Sequence, residues 1–363
     1  MRFIPLAGLT MALALAGCGS PASAPAAPSS PAPSSVSASQ PAPAGAKPSS
    51  RAPAGSASAA ASERTAVAVN YAQVSPTFMQ SWYALESGIF AKNGLDVTLQ
   101  LAQSAPGMAS LLSGQTQLGL MGGNEVANAS AQGGDLVVVA SLAPVYPYVL
   151  EVQANIKTGA DLKGSKIGIT QFGSTIDAAT RVALKQLGLS ANDVNLLQLT
   201  SISARTQALL NGAIQAGLSN PPDSLVLEAH GLHVLVDLAA LKAPAASVLL
   251  AGTRAWVNAH HDATQKFVDS IVEATAQEKT DKTGAIAVIK KYLKYDNQAD
   301  LQATYDYYVG HVFPSLPMPA ADQFADVIAQ ATNAKVKAFD ASKVIDTSYV
   351  KSAQDRGLDK PHG

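Results

Sequence analysis

The sequence predicts an α/β fold of two similar lobes, each a mostly parallel sheet flanked by helices, joined by a hinge of two chain segments. One observation behind this is an internal repeat, in which the 35 residues from Leu99 to Gly133 align without a gap with Leu197 to Gly231. Eleven positions are identical, and the 98-residue offset exceeds any solenoid unit. The other observation is that strand and helix patterns alternate in both copies, as in parallel sheets. Two lobes of one plan leave a cleft, where ligands usually bind.

The first copy opens with alternating apolar residues from Val67 to Tyr71, which predict a strand. Apolar residues then recur at helical spacing from Phe78 to Ile89, and Gly94 ends this helical region. The elements predicted next are a strand at 95–101, a short helix ending at Gly114, a strand at 118–121, a helix after 124 and a strand at 136–142.

The second copy follows the same order. Its first helix begins at Ser174 or Thr175 and ends at Gly188, and the run from Ser174 to Asp177 has the spacing of a capping box. The other predicted elements are strands at 166–170, 194–199, 215–218 and 233–238, and helices at 205–211 and from 223 onward.

The rest of the chain is predicted to be helical, at 258–279, 285–293, 301–309 and 323–334. Neither copy contains such a helical region, so we expect the chain to return to the first lobe after the second copy. The lobes are then joined near 144–149 and 238–248, and two adjacent crossings form a hinge. The predicted segments are a signal peptide at 1–18, a disordered tether at 19–62, lobe I at 63–145, lobe II at 146–238, the return to lobe I with C-terminal helices at 239–350, and a tail at 351–363.

The N-terminal residues indicate export. A basic start is followed by an apolar stretch at 4–16 that is too short to span a bilayer, which is typical of a secretory signal. Residues 19–62 are almost entirely Ala, Pro, Ser and Gly, a composition that cannot form a packed core. The single cysteine, Cys18, excludes an internal disulfide and a thiolate metal site, and the net charge of −1 excludes a basic nucleic-acid surface.

Four loops are the candidate ligand-binding loops. In parallel α/β sheets, ligands bind beyond the carboxyl ends of the strands, and this rule selects 73–77, 122–124, 171–175 and 219–222. Helices begin after these loops, so their free N–H groups favour an anion or a strongly polar group. The loops contain no Lys or Arg, so N–H and hydroxyl donors must bind the ligand. The candidate ligand-binding residues are Gln73, Ser75, Pro76, Thr77, Gly123, Asn124, Tyr146, Gly173, Ser174, Thr175, Asn220 and Pro221.

Several other residues are candidates for binding roles. Aromatic residues near the loops could stack on a flat heterocycle or pack in the core; they are Tyr71, Phe78, Tyr146, Tyr148 and Phe172. Arg181 and Arg205 are candidate counter-ions, of which Arg181 is expected to face solvent. The pair His260-His261 is expected to be a surface feature rather than a metal site, because neighbouring helical residues point in different directions.

Three stretches of this sequence resemble one family: LESGIFAKNGLDVTL, LLSGQTQLGLMGG and DLKGSKIGITQFGST. They resemble the substrate-binding lipoproteins of bacterial ABC importers, in the group for nitrate, sulfonates, taurine and thiamine-pyrimidine precursors, over about residues 65–275. The resemblance implies a periplasmic-binding-protein-like fold of type II, with ligand loops at 75–77, 123–124, 173–175 and 220–221. Many relatives have an acidic residue where this chain has Gln117 and Gln215, and Glu-Pro where it has Pro221-Pro222.

The resemblance also implies location and partners. The run Leu15-Ala16-Gly17-Cys18 resembles a bacterial lipobox, so Cys18 would carry a lipid that anchors the protein outside the cytoplasm. The expected partners are a small-molecule solute and an ABC permease, with no cofactor, no metal and no nucleic acid, and we expect a monomer.

The leading hypothesis is a solute-binding protein that closes its lobes on a small polar or anionic organic solute. A second hypothesis is an enzyme acting on a small heterocycle, since some relatives of this fold are enzymes, including a pyrimidine synthase with clustered Cys and His. This chain has no Cys after position 18, and its candidate loops lack the usual acids, bases and nucleophiles. A third hypothesis is a ligand-sensing subunit that binds a signalling receptor.

Overall fold

The computed structural model of the protein describes residues 64–199 and 201–360. The predicted signal peptide, the tether and Cys18 lie outside the described residues. The described part forms two five-stranded sheets. Their strands are β1 (Thr65–Tyr71), β2 (Leu95–Leu101), β3 (Leu118–Met121), β4 (Leu136–Ala143), β5 (Val149–Val152), β6 (Lys166–Ile169), β7 (Asn195–Gln198), β8 (Ala216–Ser219), β9 (His233–Asp237) and β10 (Val248–Thr253).

The same residues form fourteen α-helices. They are α1 (Met79–Glu86), α2 (Ile89–Lys92), α3 (Ser104–Leu112), α4 (Gly123–Ala131), α5 (Thr175–Gln186), α6 (Ile202–Leu210), α7 (Asp223–Ala229), α8 (Arg254–Ala259), α9 (His261–Glu278), α10 (Lys282–Leu293), α11 (Gln298–Tyr307), α12 (Ala325–Gln330), α13 (Ala334–Lys337) and α14 (Ser348–Asp355). Within residues 64–199 and 201–360, no helix has the length and apolar character needed to cross a bilayer.

The two sheets have the same strand arrangement, which confirms the predicted fold class. Their orders are β2-β1-β3-β10-β4 and β7-β6-β8-β5-β9. β1 lies parallel to both of its neighbours, and so does β6, while the fourth strand of each sheet is antiparallel to its neighbours. In each sheet the fourth strand follows directly after the chain has crossed the hinge. β5 follows the first copy in sequence but lies in the second sheet, and β10 follows the second copy but lies in the first sheet. The sequence predicts the two crossings here but not the two exchanged strands.

The repeat of the sequence is also a repeat of structure. Helices α3 and α6 lie 98 positions apart at both ends, and so do strands β3 and β8. Gln117 accepts a hydrogen bond from the Ala68 N–H through Oε1 (2.8 Å) and donates one to the Gly114 carbonyl through Nε2 (3.1 Å). Gln215 makes the two equivalent bonds in the second lobe, at 3.1 and 3.2 Å. In each lobe, one glutamine side chain therefore connects the start of an inner strand both to the neighbouring strand and to the turn that ends the preceding helix.

The two crossings run side by side, as a two-segment hinge requires. The Ala245 N–H donates to the Pro144 carbonyl at 2.7 Å, and the Leu238 N–H donates to the Tyr148 carbonyl at 2.9 Å. Since each lobe folds around its own sheet, these two segments and the cleft contacts described below connect them.

Apolar clusters lie on the faces of both sheets. In the first lobe, helices α1, α9 and α10 cover one face, where Phe90 stacks on Phe267 with ring centroids 4.8 Å apart. Helix α14 packs on α9 and β4 and buries Tyr349, Val350 and Ala353, so ordered helix continues beyond position 350. Most of the C-terminal helices thus cover the first lobe, while α12 also contacts α5 of the second.

Candidate functional site

A cavity of about 240 Å³ lies between the lobes. The first lobe contributes the segment after β1, the ends of β2 and β3, the start of α4 and the start of β10. The second lobe contributes Thr170 after β6 and the starts of α5 and α6, and the hinge contributes Tyr148. The cavity therefore lies beyond the carboxyl ends of the parallel strands of both sheets, where the strand-end rule places ligands.

Four of the predicted binding residues line this cavity: Gln73, Thr77, Ser174 and Thr175. Ser174 is the N-cap of α5, and its hydroxyl accepts a hydrogen bond from the Asp177 N–H at 3.3 Å and donates to the Gln171 carbonyl at 2.8 Å. This cap fixes the start of α5 at the cavity wall. The Thr175 hydroxyl donates across the cleft to Glu125 at 3.3 Å.

Ser75, Pro76 and Asn220 are buried outside the cavity lining. Asn220 of the second lobe donates to the Ser75 hydroxyl at 2.9 Å and also to the Tyr308 hydroxyl. Thr77 contacts the Ser75 hydroxyl at 3.0 Å and the Tyr308 hydroxyl at 3.1 Å. These four polar residues form a buried network that joins the lobes. Tyr308 was not predicted, because a tyrosine in a helical apolar pattern is indistinguishable from core.

A second bridge between the lobes involves Asn124 and Gly173. The Asn124 amide donates to the carbonyls of Gly173 (3.3 Å) and Ser174 (3.2 Å). The neighbouring Gly123 N–H donates to the hinge carbonyl of Ala246 at 2.7 Å, and a side chain at Gly123 would collide with Ala246. Asn124 and Gly173 line a second cavity of about 300 Å³, which also contains Arg181.

Tyr146 and Pro221 are buried and do not line the first cavity. Tyr146 packs in the second-lobe core beside Tyr148, and it is Tyr148 that reaches the cavity. Burial raises the pKa of the Tyr148 phenol far above its ordinary value, so this group stays a neutral hydroxyl at physiological pH. Among the other aromatic candidates Phe78 lines the cavity, whereas Phe172 is exposed.

Charge is distributed unevenly around the cavity. Its described lining residues include no Lys or Arg, as predicted for the loops, but they do include the carboxylate Glu125. The predicted loop ended at Asn124, one residue too early to include it. Arg205 lies wholly buried behind the wall, where Nε donates to the Leu218 carbonyl at 3.0 Å and Nη1 donates to the Thr170 hydroxyl at 3.3 Å. Thr170 itself lines the cavity.

The sequence matches the model of a known protein family. A model of the family described as NMT1/THI5 like matches residues 75–281, more than half of the chain. The chain belongs to the NMT1/THI5-like family. This confirms the resemblance found in the sequence. A search of curated protein sequences returned no match.

Solved structures show that this NMT1/THI5-like chain has the periplasmic-binding-protein fold. It is 24% identical to the periplasmic aliphatic sulphonate binding protein SsuA from Escherichia coli, with a TM-score of 0.60 over 77% of this chain and 88% of that one. The alkanesulfonate-binding SsuA from Xanthomonas axonopodis pv. citri, bound to MOPS, is 20% identical, with a TM-score of 0.61 over 80% and 98%. The periplasmic nitrate-binding protein NrtA from Synechocystis PCC 6803 is 13% identical, with a TM-score of 0.65 over 81% and 89%.

Two equivalent glutamines in this NMT1/THI5-like chain, Gln117 and Gln215, have a structural role. Each of Gln117 and Gln215 both accepts and donates, which a carboxylate cannot do at neutral pH. Neither residue lines the described cavity, so both side chains serve to connect strands within their own lobes.

The histidine pair packs against aromatic side chains. His260 stacks on Trp256 with centroids 4.7 Å apart, and His261 lies against Tyr349 at 4.9 Å. No group of three or more His, Cys, Asp or Glu in the described part of the chain could hold a metal ion.

Proposed function

We propose that the protein is an extracytoplasmic solute-binding lipoprotein of an ABC importer. It closes its two lobes on a small polar organic solute and presents the closed form to a membrane permease. Sulfonates, nitrate, taurine and pyrimidines are the candidate solutes that the family resemblance implies. The structural neighbours named for sulfonate and nitrate binding support a transport role.

The observation that carries this proposal is a cavity whose walls come from both lobes and whose back is the hinge. Opening the lobes about that hinge would break the hydrogen bonds of Asn220 to Ser75 and Tyr308, of Asn124 to the Gly173 and Ser174 carbonyls, and of Thr175 to Glu125. Each such bond contributes about 1 kcal/mol net, so the closed form depends on few direct contacts. A solute that binds both walls would add to them, and micromolar binding corresponds to about −8 kcal/mol.

Native mass spectrometry of the freshly purified protein tests this proposal by detecting a carried-over small molecule. Calorimetric titration with sulfonates, nitrate, taurine and pyrimidines then measures affinity. A solute recovered with its mass unchanged supports binding, whereas chemical conversion during incubation would favour the enzyme hypothesis.

Ser174→Trp should abolish binding while leaving the protein folded. The indole would fill the cavity from the N-cap of α5, and loss of the cap itself costs about 1 kcal/mol. The matched control is Ser190→Trp, since Ser190 caps an exposed helical turn outside the cavity lining. Circular dichroism checks folding and calorimetry checks binding. Tight solute binding by Ser174→Trp would contradict the cavity assignment.

The lipid anchor is a separate part of the proposal. Cys18 in the lipobox-like run would be lipidated, and residues 19–62 would tether the folded lobes to the membrane. Cys18→Ala should lose incorporated fatty acid and move from the membrane fraction to the soluble fraction. Continued membrane association of Cys18→Ala would rule out anchoring through this residue.

A further inference from the structure

The second cavity, of about 300 Å³, also has walls from both lobes. The first lobe contributes Asn124 and Asn128 of α4, and the second lobe contributes Phe172, Gly173 and one face of α5. The C-terminal segment 327–336, which packs on α4, supplies the remaining wall. Among the described residues none lines both cavities, so the second cavity is a space of its own.

The internal repeat shows that the face of α5 at this cavity is not used as core. Asp177 and Arg181 lie 98 positions after Met79 and Tyr83, which are buried in the first-lobe core, where α9 and α10 pack on α1. Tyr83 there donates to the Asp281 carboxylate before α10 at 2.9 Å. In the second lobe the same helix face carries an acid and a cation, and it borders the cavity.

The ion pair on this face has unused donors. Nε of Arg181 donates to Oδ1 of Asp177 at 2.9 Å, and the Gly173 N–H donates to Oδ2 at 2.9 Å. Both carboxylate oxygens thus have a partner. Within the described residues neither Nη group of Arg181 donates to the protein, and 31% of this side chain is exposed. The guanidinium therefore offers a ligand two N–H groups side by side, the arrangement that binds a carboxylate bidentately.

The rest of the cavity offers a further donor and an apolar surface. The side-chain oxygen of Asn333 accepts from the Lys335 N–H at 2.9 Å, so the NH₂ group is the part of this amide left for a ligand. Val327 and Val336 are buried and line the same cavity. Phe172 lines it with 56% of its surface exposed, so its ring is available for stacking.

We propose that the second cavity binds a small aromatic carboxylate. The two oxygens of this ligand accept from the Nη groups of Arg181, and its ring stacks on Phe172. A neutral molecule of the same shape would lose the charge-assisted hydrogen bonds, so the site selects for charge as well as for shape. Because the walls belong to both lobes, the bound carboxylate favours the closed form; this coupling to the first cavity rests on the proposed solute-binding function.

Calorimetric titration with benzoate tests the site, and benzamide serves as the uncharged probe of the same shape. Arg181→Met removes the carboxylate partner, and Phe172→Ala removes the ring. The matched control is Lys185→Met, which removes an exposed cation from the same helix outside the cavity lining. Ser203→Trp fills the first cavity from its exposed edge on α6 and leaves the second cavity unchanged. Circular dichroism checks that each variant is folded.

The wild type, Lys185→Met and Ser203→Trp should bind benzoate with a dissociation constant of about 1 mM or tighter, as suits so small a ligand. Arg181→Met should bind it at least about tenfold more weakly, and the wild type should bind benzamide at least about tenfold more weakly than benzoate. Phe172→Ala should lose about threefold in affinity.

Three results overturn the site: no benzoate binding by the wild type, equal binding by Arg181→Met, or binding that Ser203→Trp abolishes. Equal binding by Phe172→Ala overturns the choice of an aromatic ligand. Each of these results leaves the proposed function standing, because that function is tested with the solute of the first cavity.

The coupling is tested with the solute recovered by native mass spectrometry. At saturating benzoate the wild type should bind this solute at least about fivefold more tightly, and Arg181→Met should show no such gain. An unchanged solute affinity with benzoate bound overturns the coupling. A protein that binds benzoate but no solute overturns the proposed function and leaves the second site.

Discussion

The two lobes share one order of strands and helices, but the equivalent space between a strand and a helix is filled by different side chains in each lobe. In the first lobe, Asn70 on β1 donates to the Gly107 carbonyl of α3 at 3.1 Å and to Thr116 at 2.7 Å. In the second lobe the residue equivalent to Asn70 is Gly168, and the residue equivalent to Gly107 is Arg205, whose stem lies over the glycine. A Cβ on Gly168 would be 2.9 Å from Cγ of Arg205. In the first lobe a side chain from the strand, Asn70, fills this space, and in the second lobe a side chain from the helix, Arg205, fills it.

The repeat preserves hydrogen-bond geometry more closely than side-chain charge. Gln117 and Gln215 make the same two bonds in both lobes, whereas the buried cation Arg205 is present in the second lobe alone. The cavity between the lobes is consequently not symmetric. Glu125 lies at its first-lobe side, and Arg205 lies behind its second-lobe side.

Arg205→Met should have the largest effect on stability. Met keeps most of the stem over Gly168 but removes the donors to Leu218 and Thr170 and the positive charge near Asp223. Hydrogen bonds to a charged group contribute about 1.5–3 kcal/mol each to the unfolding free energy, and this change removes two of them. The control is Arg181→Met in the same lobe, where a partly exposed ion pair with Asp177 is lost and the cost is below about 1 kcal/mol. Chemical denaturation measures the loss of unfolding free energy in both variants. Equal losses would show that the buried Arg205 has no special role in the stability of the second lobe.

Glu151→Gln should have the next largest effect, and its size should depend on pH. Glu151 pairs with Gly217 on β8, where the first lobe pairs Ala251 with the equivalent Gly119. Within the described residues neither carboxylate oxygen has a hydrogen-bond partner, and burial raises the pKa of Glu151 to about 8, with a smaller contribution from Glu228. The folded protein therefore keeps a proton that the unfolded chain releases above its ordinary pKa of 4.5.

The sign of this effect follows from proton binding. Between the ordinary pKa and about 8 the native state binds more protons than the unfolded state, so the stability contributed by Glu151 falls as pH rises through that window. Glu151→Gln should remove this fall, which amounts to about 3–4 kcal/mol of unfolding free energy between pH 5 and pH 8. Urea denaturation of both proteins at pH 5 and pH 8 measures it. An equal pH dependence in the two proteins would show that another group causes it.

Gln117→Glu and Gln215→Glu should have the smallest effects, and the two should match. Each change removes one donor to a glycine carbonyl and leaves the acceptor, which costs about 1 kcal/mol. The sites lie in different lobes, so the double variant should show the sum of the two losses. Thermal melting of the single and double variants checks this. A large difference between the single variants would mean that the repeat is equivalent in backbone only.

The two-lobed fold and the location of the cavity could be predicted from the sequence, because the repeat and the strand ends depend on local patterns. The exchanged strands β5 and β10 could not. Each is a short run beside a proline-containing crossing, and it becomes a strand because it pairs between two other strands of a sheet. The helix cap at Ser174 was predictable because capping is decided by neighbouring residues.

Tertiary contacts also decide which candidate residues line the cavity and which ones join the two lobes. Ser75 and Asn220 follow strand ends, as ligand-binding residues do, but Tyr308 from the C-terminal region meets both in a buried network. No local pattern connects residues more than 80 positions apart. Glu125 was missed for a different reason, since its position in the first turn of α4 has an ordinary helix-stabilising explanation.

The most direct test of closure is a distance measured between the lobes. Ser113 and Asn211 are exposed, equivalent residues that follow α3 and α6, the helices whose N-terminal ends flank the cavity. Spin labels on Ser113→Cys and Asn211→Cys, with Cys18 replaced by Ser, report their separation by pulsed electron paramagnetic resonance. Saturation with the solute recovered by native mass spectrometry should shorten and narrow the distance distribution. An unchanged distribution at calorimetric saturation would contradict the claim that the two lobes close on their solute.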